Sequence, residues 1–106
     1  PEQIYDSKWA VRVMDQALAR LRKDFLESGK ARQFEAFRDL LTSDPADGTY
    51  AALAPKLGLA ANAVAVAVHR FRQRFRDYVR EEISRTVSNP SDVDDELRYL
   101  LDLLAS

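Results

Sequence analysis

The sequence predicts an all-α domain of about five helices, and three observations lead there. Apolar residues recur at spacings of three and four along most of the chain. Only three glycines and four prolines interrupt 106 residues. No second alternating segment is present to pair with the one stretch, Ala60 to Ala67, that reads as a strand. A chain this long supports one domain, here residues 1–106, and buries roughly two-thirds of its unfolded surface.

The first helix follows from Trp9, Val13, Ala17, Leu21 and Phe25, spaced by four and flanked by Met14, Leu18 and Leu26; Gly29 stands where a stop is expected. It spans about 7 to 28. Phe34, Phe37, Leu40 and Leu41 form a second, shorter stripe, which makes an N-terminal helical hairpin with the first. The turn formers of "TSDPADGT" then end it near Leu41. Thr49 is the expected cap of a third helix, "YAALAPKLGL", with Ala52, Leu53 and Leu57 inward. Pro55 lies inside that helix, without an N–H and with its ring against the Ala51 carbonyl, so a short or distorted helix is expected.

The stretch "AANAVAVAVHRFRQRFRDYVREE" decides the class. Strict alternation through Phe75 would place Phe71 and Phe75 opposite Arg70, Arg72 and Arg74, as a strand requires. The helical reading accounts for more: Val64, Val68, Phe71, Phe75, Val79, Ile83 and Val87 are spaced four, three, four, four, four and four. Strands average only five or six residues, so one helix of about 61 to 87 is expected. "SNP" at Ser88 breaks it, and a short acidic C-terminal helix restarts with Ser91 as cap and Val93, Leu97, Leu100, Leu101 and Leu104 inward.

Composition removes several functions. There is no cysteine and one histidine, which excludes disulfides and thiolate zinc sites and leaves little for a histidine-based one. No cofactor or metal is expected. No apolar run approaches the roughly 20 residues of a membrane span, and no signal peptide opens the chain, so a cytoplasmic location is expected and no membrane partner. The opening Pro1 predicts processing or a longer parent polypeptide. The net charge of −1 hides a segregation. Residues 62–80 hold Arg70, Arg72, Arg74, Arg76 and Arg80 against Asp77, whereas residues 89–106 hold Asp92, Asp94, Asp95, Glu96 and Asp102 against Arg98. The acidic cluster is simply explained as a favourable helix N-terminus; metal binding and folding back against the arginines are the other readings.

On a wheel, Val68, Phe71, Phe75, Tyr78 and Val79 lie within about 60° of the core direction set by Val64. The opposite side holds Asn62, Val66, His69, Gln73 and Arg80, with Arg70 beside them. Such a face can read base edges while flanking arginines hold phosphates. Asn62, His69, Arg70 and Gln73 are the direct-readout candidates, Val66 points out among them, and Arg72, Arg74 and Tyr50 are the phosphate candidates. His69 is equally explained by solvation alone. The preceding "YAALAPKLGLAANAV" places a short helix and Gly58 before this face, which is helix-turn-helix spacing over about residues 49–80.

These residues bring a family into view. "TYAALAPKLGLAANAVAVAVHRFRQRFR" resembles the C-terminal helix-turn-helix domain, region four, of bacterial sigma-70 family factors of the extracytoplasmic-function group. Tyr50 and Leu53, the Leu57-Gly58-Leu59 turn, the anchors Val64 and Val68, and His69-Arg70 followed by Arg72 match it, over about residues 7 to 104. The chain departs from the family at Ala65, Val66 and Ala67, where a Lys-Ser-Arg-like run is frequent; Ala and Val can still meet a thymine methyl. The resemblance implies a domain that reads the minus-35 promoter element in the major groove and binds the β flap of RNA polymerase in transcription initiation. It also implies an N-terminal minus-10-reading domain that this sequence does not contain. The alternative is a module acting mainly through protein, an anti-sigma factor or the polymerase, with weak DNA binding alone. An enzyme is not expected, since no nucleophile, base or phosphate loop has the required company.

Overall fold

The computed structural model describes residues 7–85, 95, 97–99 and 102. It is all-α, with α1 (Ser7–Glu27), α2 (Ala31–Phe37) continued by a 3-10 turn (Arg38–Leu40), α3 (Thr49–Leu57) and α4 (Ala61–Ser84). Residues 95, 97–99 and 102 are also helical, and no strand occurs among the described residues. The alternation of Val and Ala in α4 is therefore a helical stripe.

α1 buries Trp9, Val13, Ala17 and Leu21 and ends as its glycine demands. Gly29 has φ 71°, its N–H donates to the Leu26 carbonyl at 3.2 Å, and the Lys30 N–H donates to the Phe25 carbonyl at 2.7 Å. That left-handed closure satisfies end carbonyls and turns the chain back into α2. Leu26, expected beside the apolar stripe, is exposed instead, because the four-residue spacing drifts around the helix and only Phe25 remains turned toward α4 in the last turn.

α2 has seven residues, far too few to persist alone, and is held by Phe34 and Phe37, both fully buried. Their rings and that of Phe25 surround Phe71 of α4 edge-on, at centroid distances of 5.9, 5.5 and 5.2 Å. Three elements meet at one ring.

α3 differs from the sequence reading in two respects. Thr49 is its first residue, not its cap: the Thr49 hydroxyl donates backwards to the Ala46 carbonyl at 2.7 Å. The cap position belongs to Gly48, whose left-handed backbone (φ 85°) aims its carbonyl at the Ala52 N–H, 3.0 Å away. Ala52 is exposed and Ala54 is buried. Tyr50, Leu53, Ala54 and Leu57 share the inward face at spacings of three, one and three, and Ala52 falls on the opposite side. Helix geometry continues through Pro55, which faces solvent, to Leu57.

α4 buries Val64, Val68, Phe71, Phe75, Val79 and Ile83. It runs antiparallel to α1, so Phe25 meets Phe71 while Trp9 and Val13 line a hollow with Glu82 and Arg85. A polar seam edges this pair. Arg20 contacts Glu81 at 2.6 Å and Glu82 at 3.1 Å, Arg85 reaches Glu82 at 3.0 Å, and Asp24 accepts from Tyr78 and pairs with Arg74 at 3.4 Å. Glu82 is buried, and two guanidiniums compensate its charge. Leu97 is buried as expected; Val87, Ser91, Val93, Leu100, Leu101 and Leu104, and with them the proposed cap and most of the last apolar stripe, lie outside the described residues. No single helix among the described residues is long and apolar enough to cross a membrane.

Two predictions follow from these contacts. The hydrogen bond to Asp24, and then burial, hold the Tyr78 hydroxyl above the usual phenol value of 10.0. A raised pKa in the folded state stabilises the fold below that value and loses the contribution as pH rises through it. Tyr78→Phe should therefore cost about 1 kcal/mol at neutral pH and flatten the alkaline loss of stability, read by urea melts from pH 7 upward. Pro55→Ala returns an N–H to the Ala51 carbonyl at an exposed site, so the melting temperature should rise or hold; a clear fall would refute a tolerated proline.

Candidate nucleic-acid interface

The turn between α3 and α4 fixes the geometry of this region. Gly58 has φ 68°, and its N–H and that of Leu59 both point at the Ala54 carbonyl, the latter at 3.0 Å. A side chain at this position would be strained in the left-handed region, which is why glycine stands there. The chain then passes through Leu59 and an extended Ala60 into α4, and the two helices meet at 97°. Helix-turn-helix units cross at about 90–120° over a turn of this length. Tyr50, Leu53, Leu57 and Leu59 pack against the core and hold the angle.

The face of α4 opposite Val64 and Val68 is open. Asn62, Val66, His69 and Gln73 are exposed along one stripe at spacings of four, three and four, with Arg70 beside it. The structure thus brings together the five residues expected to face base edges. Beyond Gln73 the same side continues to Asp77, an exposed carboxylate that would repel a phosphate backbone. The usable stripe is the first half of the helix.

The phosphate candidates separate. Arg72 is half-buried, donating through Nε to the Leu40 carbonyl and through Nη2 to the Ser43 carbonyl, each at 2.8 Å. It ties the end of the 3-10 turn and the following loop to α4. Arg74 leans the other way, onto Asp24 of α1. Tyr50 is half-buried against the core. Arg70 and Arg76 are exposed and have no ion pair or hydrogen bond among the described residues, so they are the cations of this run best placed for a polyanion. Arg76 sits on the flank of the stripe; exposure distinguishes it from Arg72, and the sequence alone does not.

No protein-family model, curated protein or solved structure matches this chain.

A second surface lies beside it. α2 and α3 enclose an open groove of about 570 Å³ with Ala36, Leu53 and Leu57 as its apolar floor and Arg32, Glu35 and Lys56 at its rim. No group of three or more His, Asp or Glu side chains that could hold a metal ion occurs among the described residues.

Arg72→Ala removes the two hydrogen bonds to the Leu40 and Ser43 carbonyls and should cost about 1–3 kcal/mol in urea denaturation. Arg72→Lys should recover only part, since an ammonium cannot span both acceptors as the guanidinium fork does. An unchanged midpoint in both variants would show the tie to be idle.

Proposed function

We propose that this domain binds duplex DNA through α4, as the region-four, minus-35-reading domain of a bacterial extracytoplasmic-function sigma factor. The observation that supports this reading is the 97° junction at Gly58 with an unpartnered stripe of Asn62, Val66, His69 and Gln73 on its second helix. In a helix-turn-helix the second helix enters the major groove and its first turns meet base edges. Asn62 would pair with adenine and His69, Arg70 or Gln73 with purine edges, while Arg76 neutralises a phosphate on the groove wall. The reaction served is transcription initiation by RNA polymerase in the cytoplasm; the domain itself is a binding module, without catalysis or cofactor.

The groove between α2 and α3 favours a second reading. Its apolar floor and charged rim suit an amphipathic helix of a partner protein, which would be the β flap of the polymerase or an anti-sigma factor. On that reading DNA contact is weak in isolation and protein is the main partner.

Affinity measured across a salt series decides between them. Arg76→Ala should weaken binding to every duplex and lower the salt slope by about one unit. Gln73→Ala should leave that slope intact and relax sequence preference at one base pair, by about 1–3 kcal/mol of discrimination. If neither variant differs from wild type on DNA selected by the protein, α4 is not the reading helix.

A further inference from the structure

The exposed stripe of α4 is polar at Asn62, His69 and Gln73 and apolar at one point, Val66, whose surface is 49% exposed. Its neighbours do not share that exposure. Ala65 and Ala67 are half-buried, and Ala67 packs on the core, so the segment where the chain departs from its family presents a single branched apolar group. Val66 stands one turn beyond Asn62 and three residues before His69, in the centre of the half-helix that precedes Asp77.

An isopropyl group has neither donor nor acceptor. Pressed onto a base edge it leaves that edge's polar atoms unpaired, which is costly, except where the edge is itself apolar. The major groove offers one such feature, the C5 methyl of thymine. The β-branched side chain is also already confined to essentially one rotamer in a helix, so the contact costs little further entropy. We infer that Val66 is a specificity-determining residue that selects thymine at one position of the bound site through its C5 methyl. This rests on α4 being the helix that enters the major groove.

The test uses duplexes selected from a random library by the full 106-residue chain. Each thymine is then replaced singly by deoxyuridine, which removes only the methyl and keeps every hydrogen bond, and affinity is read by fluorescence anisotropy. One replacement should weaken wild-type binding about three- to fivefold, the worth of one buried methyl. Val66→Ala, at an exposed site that the fold does not use, should bind the thymine and deoxyuridine duplexes equally. A selected sequence in which no replacement matters, or in which the loss is the same in Val66→Ala, overturns the inference and leaves α4 as the reading helix. Failure to select any sequence removes both.

Discussion

The fold depends on the ring of Phe71. It is fully buried, and it is the point at which Phe25 of α1 and Phe34 and Phe37 of α2 converge in edge-to-face contacts. Edge-to-face pairs add about 0.5–1.5 kcal/mol each beyond the area they bury, so such a cluster is worth several ordinary core contacts. α2 makes the dependence plain. A seven-residue helix has no stability of its own, and its two buried side chains are the two that reach Phe71. With α2 in place, the 3-10 turn ends where the Leu40 and Ser43 carbonyls meet Arg72, one residue beyond Phe71 on the same helix.

The arginine run of α4 is best understood as a division of labour set by helix geometry. Residues two apart on a helix point about 200° apart, so the five arginines at positions 70, 72, 74, 76 and 80 cannot share a face. Arg72 turns to the loop after α2, Arg74 turns to Asp24, and only Arg70 and Arg76 stay exposed without a partner among the described residues. This lowers the charge available to a polyanion well below what the sequence suggests. It also makes the second half of α4 structural: Tyr78, Glu81 and Glu82 are bound to Asp24 and Arg20, which welds that half to α1. The first half, beyond the reach of those contacts, is left to face outward.

Much of this was legible in the sequence, and the reason is periodicity. The stripe from Val64 to Ile83 identified every buried apolar position of α4, though not the buried Glu82, and the spacing by four from Trp9 to Leu21 identified those of α1 except Ala10. The exposed stripe followed as its complement. What the pattern could not give was the partner of each polar side chain, because Arg72 and Arg76 differ only by which element passes near them, and that is a tertiary fact. Local capping at α3 was misread for a related reason. Thr49 has the right chemistry for a cap, but Gly48 supplies the left-handed turn, and the threonine hydroxyl then finds the Ala46 carbonyl. The phase of a nine-residue helix crossing at a steep angle is likewise set by its one buried residue, Ala54, and hydrophobicity alone could not choose between Ala52 and Ala54.

The quantity on which the proposed function turns is the angle between α3 and α4, and the structure holds it from three sides. Gly58 takes the one left-handed residue that lets the chain turn within three positions. Ala54, buried in the same core as Val64, anchors α3 against the body of the domain. Arg72 fixes the loop that delivers the chain into α3, so that α3 cannot swing about the turn as a hinge. A helix of 24 residues is about 36 Å long, three times the roughly 12 Å width of a major groove, so it can meet bases only near one end. The angle selects that end. α3 packs at the start of α4 and the Arg20 seam binds its finish to α1, while the Asn62–Gln73 stripe lies exposed on the opposite side of the first half. Residues that never touch a ligand thereby decide which turn of the helix is presented to one.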